Sequence, residues 1–184
     1  MTVSAGNDYY SPPWVAECLE PHIQHLAYII DPAAGRGGFS KVLSKDARKT
    51  VVNSDLLPYS TADVSIPALN FFSEKWDRSM RKVTPKLKEP TGGVVTAPPV
   101  HLVAEFCRRA LRLTAPKGTV ALWLSATADA EYRYKALFVD DPSFYKKIVP
   151  VRPAVYGAQL PFAWYLWRHG YGGAPSLAYS VVGE

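Results

Sequence analysis

The sequence predicts an α/β fold in which a mostly parallel sheet carries helices on both faces. Short apolar runs that are typical of buried strands alternate along the chain with segments of helical periodicity. A glycine-rich turn over 32–38 follows the first of these runs and Asp31, where a strand would enter a helix. Together these observations indicate a Rossmann-like architecture.

The first half of the chain carries the signals of a strand, helix, strand unit. Ser11 followed by two prolines is a typical helix start, with serine at the cap position and proline in the first turn. The next run, 27–30, is apolar without interruption, as a parallel strand covered on both faces is. The predicted elements are a helix over 12–24, a strand over 27–30, a helix over 39–44, a strand over 50–54 and a short third strand over 68–72.

The second half of the chain continues the alternation. Residues 101–114 form a clearly amphipathic segment, because Val103, Phe106 and Ala110 share one face of a helix. The predicted elements are strands over 93–96 and 119–124, that amphipathic helix between them, a helix over 129–138, an extended segment over 147–151 and an aromatic strand over 162–167.

Composition favours a soluble globular protein. The chain has 184 residues, 48% of them hydrophobic, so we expect one domain over 1–184. Its net charge of +5 favours an anionic partner. Cys18 and Cys107 lie in apolar segments and lack the paired spacing of a metal site, so we expect both to be reduced and buried.

Several classes of protein are excluded by missing signals. There is no signal peptide and no window of about 18 apolar residues, which predicts an intracellular protein without a membrane contact, cytoplasmic if bacterial or phage in source. His22 and His25 have no third ligand nearby, so we expect no metal site. Phosphate-binding, hydrolase and zinc-deaminase motifs are absent from the sequence.

Polar and glycine residues gather where the predicted strands end, which is where parallel sheets bind ligands. Gly35 and Gly37 allow the backbone to approach a ligand closely. Asp55 follows Gly35 by about 20 residues, the spacing at which an acidic side chain binds ribose hydroxyls. These residues predict an adenosine-containing cofactor, and by themselves they leave S-adenosylmethionine and NAD both open.

Four segments, taken in order, resemble the small phage and bacterial adenine-N6 DNA methyltransferases. They are Tyr10-Ser11-Pro12-Pro13, Asp31-Pro32-Ala33-Ala34-Gly35-Arg36-Gly37-Gly38-Phe39, Asp55, and Thr96-Ala97-Pro98-Pro99. The resemblance implies a class I S-adenosylmethionine-dependent methyltransferase fold, with a seven-stranded sheet and an antiparallel C-terminal strand. Because a seven-stranded core of this kind would use essentially all 184 residues, we expect no separate target-recognition domain, so specificity would be low or would come from a protein partner.

The resemblance assigns roles to matching positions. Tyr10 and Pro12 would border the methionine end of the cofactor, Asp55 would bind the ribose hydroxyls, and Asn70, where the family usually has Asp, would face the adenine. The other cofactor-binding positions are Asp31, Pro32, Gly35, Gly37 and Phe39.

The target-base motif departs from the family pattern of Asn or Asp, Pro, Pro and an aromatic residue. Here the catalytic positions read Ala97, Pro98, Pro99 and Val100. Alanine cannot accept a hydrogen bond from the exocyclic amine, and valine offers no ring to stack on a flipped base. Loss of one such contact costs on the order of 10²- to 10³-fold in rate.

Nucleic acid is the expected partner, through the most basic segment of the chain, 73–91. Its cationic residues are Lys75, Arg78, Arg81, Lys82, Lys86 and Lys88. The leading hypothesis is methyl transfer to the exocyclic amine of adenine in nucleic acid. The alternatives are a catalytically impaired relative that binds cofactor or nucleic acid as a structural or regulatory module, a methyltransferase for a small molecule or a protein, and an NAD-dependent oxidoreductase. The sequence leaves the oligomeric state open.

Overall fold

A seven-stranded sheet forms the centre of the molecule. The computed structural model describes residues 11–60, 65–114, 116–151 and 161–181. Within these residues the strand order in the sheet is β2-β1-β5-β6-β8-β7-β9, and β3 and β4 form a separate two-stranded ribbon. The strands are β1 (Tyr28–Asp31), β2 (Thr50–Asn53), β3 (Tyr59–Ser60), β4 (Ser65–Ile66), β5 (Gly92–Thr96), β6 (Thr119–Ser125), β7 (Phe144–Val151), β8 (Phe162–Arg168) and β9 (Ser176–Val181).

Helices cover both faces of this sheet. They are α1 (Pro13–Leu19), α2 (Gly38–Leu43), α3 (Glu74–Met80), α4 (Thr84–Leu87), α5 (Val103–Thr114) and α6 (Lys135–Phe138). One apolar cluster joins α1 and α2 to side chains such as Ile29, Val95 and Trp164. A second cluster joins α3, α5 and α6 to the opposite face, through side chains such as Ile30 and Val94. The predicted α/β architecture is therefore confirmed.

The strand directions place the ligand-binding edge. Strands β1, β2, β5 and β6 are parallel, β8 is antiparallel to β6 and β7, and β9 is parallel to β7. The expected antiparallel strand near the C-terminus is confirmed as β8. The carboxyl ends of β1, β2, β5 and β6 therefore lie on one edge, together with Phe162 at the start of β8.

Two predicted elements were wrong. Residues 68–72 form no strand: one bridge joins Ala68 to Asp55, and the chain then turns at Asn70 into α3. The seventh place in the sheet belongs instead to β9, which the sequence analysis missed. The segment 129–138 is not one helix but two 3-10 turns followed by the short α6.

The first helix also differs from its prediction. It begins at Pro13 with Pro12 at the cap position, so the Ser11 side chain does not cap it. The α-helix ends at Leu19 and a 3-10 turn continues to His22. Cys18 and Cys107 are free and buried, as expected. Among the described residues, no helix has the length and apolar character needed to cross a bilayer.

Candidate active site

A cavity of about 620 Å³ opens along the carboxyl edge of the sheet. This volume lies within the range of small-molecule sites in proteins, roughly 300–1,000 Å³. One half is lined by residues after β1 and β2. The other half is lined by residues at the carboxyl end of β6 and by Phe162 at the start of β8. The motif 97–100, which follows β5, lies between the two halves and lines the cavity throughout.

The glycine loop between β1 and α2 forms the floor of the first half. Gly35 has φ 51° and Gly37 has φ 76°, a left-handed conformation that side chains with a Cβ rarely adopt. A Cβ on Gly38 would overlap the backbone carbonyl oxygen of Ser11. These close approaches bring the loop backbone and the buried ring of Phe39 to the cavity surface.

Asp55 holds this loop through its carboxylate. Its Oδ2 accepts a hydrogen bond from the Gly35 backbone N–H at 2.9 Å, and its Oδ1 accepts one from the Leu57 N–H at 3.1 Å. Asp55 lines the cavity and is half-buried. A carboxylate has about four acceptor positions, so two remain for ligand hydroxyls.

Asp31, at the end of β1, is a buried carboxyl with an unpartnered oxygen. Its Oδ1 accepts hydrogen bonds from the Thr96 hydroxyl at 2.7 Å and from the Ala33 N–H at 3.3 Å. Its Oδ2 has no hydrogen-bond partner within the described chain. Burial raises the pKa of Asp31 to about 7, against the lowering effect of these two donors. The loop therefore encloses a proton-binding group that titrates near neutral pH.

The target-base motif runs past the middle of the cavity. Ala97 is half-buried in the lining, whereas Val100 has 60% of its surface exposed. The Tyr134 hydroxyl donates a hydrogen bond of 3.2 Å to the Val100 carbonyl oxygen. This bond ties the motif backbone to the segment before α6, and Tyr134 itself lines the cavity.

An aromatic wall formed by Trp123 and Phe162 bounds the second half. The two rings are stacked, with centroids 5.7 Å apart and planes 17° from parallel. Trp123 is further held by Trp14, at 6.0 Å, and by Trp164, at 5.3 Å. Both wall residues line the cavity. The arrangement offers a fixed apolar surface to a planar ligand.

Polar side chains complete the second half. Glu131 accepts a 2.6 Å bond from Arg133, whose guanidinium lies 4.6 Å from the centroid of the Tyr134 ring. His101 and Ser125 also line this half. The loop that carries these groups is anchored at Asp129, which accepts bonds of 2.8 and 2.9 Å from the Lys147 ammonium.

The structure brings most of the predicted cofactor residues together, with some exceptions. Gly35, Phe39 and Asp55 line the cavity, and Asp31, Pro32 and Gly37 belong to the same loop without lining it. Pro12 precedes α1 and also lies outside the lining. Tyr10 lies outside the described residues.

Asn70, for which an adenine-facing position was predicted, lies at the turn before α3. It is exposed and does not line the cavity. Its side-chain oxygen accepts a hydrogen bond from the Phe72 N–H at 2.9 Å, and its backbone carbonyl accepts one from the Ser73 hydroxyl at 2.8 Å. Asn70 therefore shapes the turn into α3.

The basic segment lies elsewhere on the molecule. None of its six cationic residues lines the cavity. Lys86 lies 5.5 Å from the centroid of the Tyr28 ring, at the start of β1, so α4 sits at the amino edge of the sheet. Arg78 pairs with Glu74 on exposed α3. The segment therefore cannot hold a ligand inside the cavity.

Sequence analysis missed Trp123, Phe162 and Tyr134 as cavity residues. All three were assigned to strands or a helix, where an aromatic residue indicates core packing. Their role depends on the pairing of β6 with antiparallel β8, which places Trp123 beside Trp164 and Phe162 beside Ser125. The one signal in the sequence was that Trp123 lies next to the carboxyl end of a predicted strand, where ligands of parallel sheets bind.

The fold recurs in solved structures of low sequence identity. No protein-family model and no curated protein matches the chain. A protein of Agrobacterium tumefaciens, described as a predicted O-methyltransferase, aligns with a TM-score of 0.56 and 13% identity over 94% of this chain and 87% of that one. A protein of Listeria monocytogenes, described as a class I S-adenosylmethionine-dependent methyltransferase, aligns with a TM-score of 0.56 and 14% identity over 100% of this chain and 68% of that one.

A third similar structure is the M protein of the type I restriction enzyme EcoKI. It aligns with a TM-score of 0.55 and 13% identity, over 91% of this chain and 45% of that protein. At such identities a likeness establishes the fold alone. The chain has the Rossmann-like fold of the class I methyltransferases.

Proposed function

We propose that this chain is an S-adenosylmethionine-dependent methyltransferase whose cofactor occupies the half of the cavity beside β1 and β2. The observation that carries the proposal is the joint arrangement of the glycine loop, Asp55 and Asp31 at the carboxyl edge of a class I methyltransferase fold. The free lone pairs of Asp55 suit ribose hydroxyls. The unpartnered Asp31 Oδ2 suits the ammonium group of the methionine portion.

The chain itself contributes alignment more than covalent chemistry. When bound, S-adenosylmethionine supplies an electrophilic methyl group on a sulfonium sulfur. Asp55 and the glycine loop would fix the donor, and the motif 97–100 would separate it from the acceptor. Holding two reactants in the attack geometry removes several kcal/mol of barrier, roughly 7–11 in the best cases.

The acceptor in this proposal is the exocyclic amine of adenine in nucleic acid. The sequence resemblance favours it, and the fold shared with a type I restriction M protein is compatible with it. The aromatic wall and Tyr134 would stack on the target adenine, because Val100 has no ring that could do so. A flipped base is commonly held between aromatic and apolar side chains.

A second candidate function is a catalytically impaired cofactor-binding or nucleic-acid-binding module. Ala97 favours it, because this position in the cavity lining has no side-chain acceptor for the amine. The two candidates differ in one measurable property, which is turnover by the unmodified protein.

The test is transfer of a labelled methyl group from S-adenosylmethionine to adenine-containing DNA and RNA. Wild type is compared with Ala97→Asn/Val100→Tyr, which restores the family motif, and Val100 is exposed enough to accept a tyrosine. The matched control is Ala47→Asn/Val181→Tyr, the same two changes at exposed positions outside the cavity. The proposed function predicts labelled adenine with wild type and control.

The other outcomes assign the alternatives. If wild type and control transfer no methyl group above background while the variant with the restored motif does so at least about 10²-fold above it, the protein is the catalytically impaired module. If no variant labels nucleic acid although S-adenosylhomocysteine binds, adenine in nucleic acid is not the acceptor. If neither cofactor form binds, the methyltransferase proposal itself fails.

A further inference from the structure

A group of basic side chains lies at the opposite edge of the sheet from the cavity. We name it the amino-edge cluster, and it consists of His22, His25, Lys146 and Arg168. The histidines lie between α1 and β1, Lys146 belongs to β7, and Arg168 ends β8. β8 runs from Phe162 in the aromatic wall to Arg168, seven residues that span roughly 20 Å at about 3.3 Å per residue.

The members of the cluster are held by shared partners. The Arg168 guanidinium and the Lys146 ammonium lie 4.7 and 5.9 Å from the centroid of one ring, that of Tyr145. Arg168 also contacts the Tyr145 hydroxyl and His25 Nε2, both at 3.4 Å. His25 Nε2 is in turn 3.2 Å from the Thr119 hydroxyl. Lys146, Arg168 and His25 therefore lie close together on one surface.

No carboxylate neutralises this surface within the described chain. None of the four residues forms an ion pair there, and the nearby Glu20 pairs with Lys49 instead. Burial lowers the pKa of both histidines. The positive charge of Lys146 lowers the pKa of His22 further, and that of Arg168 lowers the pKa of His25 further. Both imidazoles are therefore neutral near pH 7, and Lys146 and Arg168 carry the positive charge of the cluster.

We propose that the amino-edge cluster binds the phosphate backbone of nucleic acid, as a contact surface separate from the cavity. Guanidinium, ammonium and imidazole groups are the donors that phosphate oxygens take from proteins. The buried Tyr145 and Thr119 hydroxyls hold Arg168 and His25 in place from below. Lys86 of α4, whose ammonium lies over the Tyr28 ring at the start of β1, and exposed Lys117, just before β6, extend the positive charge along the same edge.

This inference differs from the sequence-based prediction, which assigned nucleic-acid contact to residues 73–91. In that segment Arg78 already pairs with Glu74 at 3.6 Å, and the acidic residues Asp77 and Glu89 accompany the cations. Among the residues that the structure describes, no carboxylate forms an ion pair with a member of the amino-edge cluster. It is also independent of methyl transfer, because phosphate contacts carry no information about the base.

The test is the affinity for a fluorescent thymidine oligonucleotide of about 20 nucleotides, measured by anisotropy at several salt concentrations. Thymine has no exocyclic amine, so this ligand does not probe the acceptor site. Lys146→Gln/Arg168→Gln is compared with Lys75→Gln/Arg78→Gln, which removes the same charge from exposed positions on α3. We expect the cluster variant to lose about tenfold in affinity at low salt and about 1.4 in the slope of log K against log salt, roughly 0.7 per lost contact.

The control variant should retain affinity within about twofold, as expected for a change in net charge alone. Equal losses in the two variants, no binding by wild type, or equal competition by polyglutamate would each overturn the proposal. Thermal unfolding checks that both variants remain folded. Calorimetry with S-adenosylhomocysteine is carried out in parallel, so that failure of the cofactor site is recognised separately.

Discussion

Asp31 is the residue whose protonation state matters most to the proposed cofactor site. Its carboxyl is fully buried, bonded on one oxygen to Thr96 and, within the described residues, unpartnered on the other. Burial without a counter-ion favours the protonated form, which is why its pKa rises to about 7. A cationic ligand group beside Oδ2 would reverse this balance by favouring the carboxylate.

Cofactor binding should therefore strengthen as the pH rises. Below about pH 7 the Asp31 proton must be released before its carboxylate can pair with the ammonium of S-adenosylhomocysteine, so affinity increases by up to about tenfold per pH unit and levels off above the pKa. Calorimetric titrations at about pH 6 and about pH 8 measure the difference. Asp31→Asn, which keeps an acceptor for Thr96, should bind more weakly and without this pH dependence. Equal wild-type affinities at the two pH values would contradict the role.

Residue-scale prediction from the sequence went furthest where a motif fixes geometry. The sequence predicted that the glycine loop and Asp55 both lie at the carboxyl ends of strands, and the structure joins Gly35 to Asp55 there by a hydrogen bond of 2.9 Å. The ribose-binding role of Asp55 stays a prediction. The turn at Asn70 could not be read from the sequence, because short polar side chains that bond to nearby backbone leave no periodic pattern.

At the scale of elements, the second half of the cavity, which the aromatic wall bounds, depends on the pairing of β6 with β8. This antiparallel pair runs in unbroken register from Thr119 opposite Arg168 to Ser125 opposite Phe162. The pairing places Phe162 beside the carboxyl edge although it begins a strand of opposite direction. The sequence predicted both strands, but long-range register is not encoded in local periodicity, so the aromatic wall could not be anticipated.

Replacing Phe162 should weaken the acceptor site selectively. Phe162→Leu keeps apolar bulk but removes the ring, and base stacking on an aromatic side chain contributes about 1–3 kcal/mol. With S-adenosylhomocysteine bound, we expect affinity for an oligonucleotide containing 2-aminopurine, a fluorescent adenine analogue, to fall by about tenfold, with less quenching on binding. Phe162→Tyr should behave as wild type, and cofactor affinity should stay within about twofold in both. Unchanged quenching in Phe162→Leu would remove the wall from the acceptor site.

One predicted strand that does not form and one strand that was missed illustrate a second limit at this scale. The segment 68–72 contains leucine and two phenylalanines, which favour a strand, yet Ser73 accepts a bond from the Trp76 N–H and starts α3 instead. The β9 strand carries Leu177, Tyr179 and Val181 outward to solvent, so its pattern lacks the buried face that identifies a strand.

At the scale of the whole molecule, the two edges of the sheet differ in character. The carboxyl edge carries the cavity and the aromatic wall, together with the carboxyl groups of Asp31 and Asp55. The amino edge carries the amino-edge cluster and Lys86. Composition predicted an anionic partner from the net charge, but only the fold reveals that much of this charge lies away from the cavity. A strand of nucleic acid held at the amino edge would need to cover roughly 20 Å to reach the cavity, the length of about seven strand residues.

The most direct test of this account is a crystal structure with S-adenosylhomocysteine bound. We expect the ligand in the half of the cavity beside β1 and β2, with its ribose hydroxyls within hydrogen-bond distance of Asp55 and its ammonium beside Asp31 Oδ2. The aromatic wall should then border an open space next to Ala97. Binding elsewhere on the protein, or with the ribose turned away from Asp55, would contradict the account.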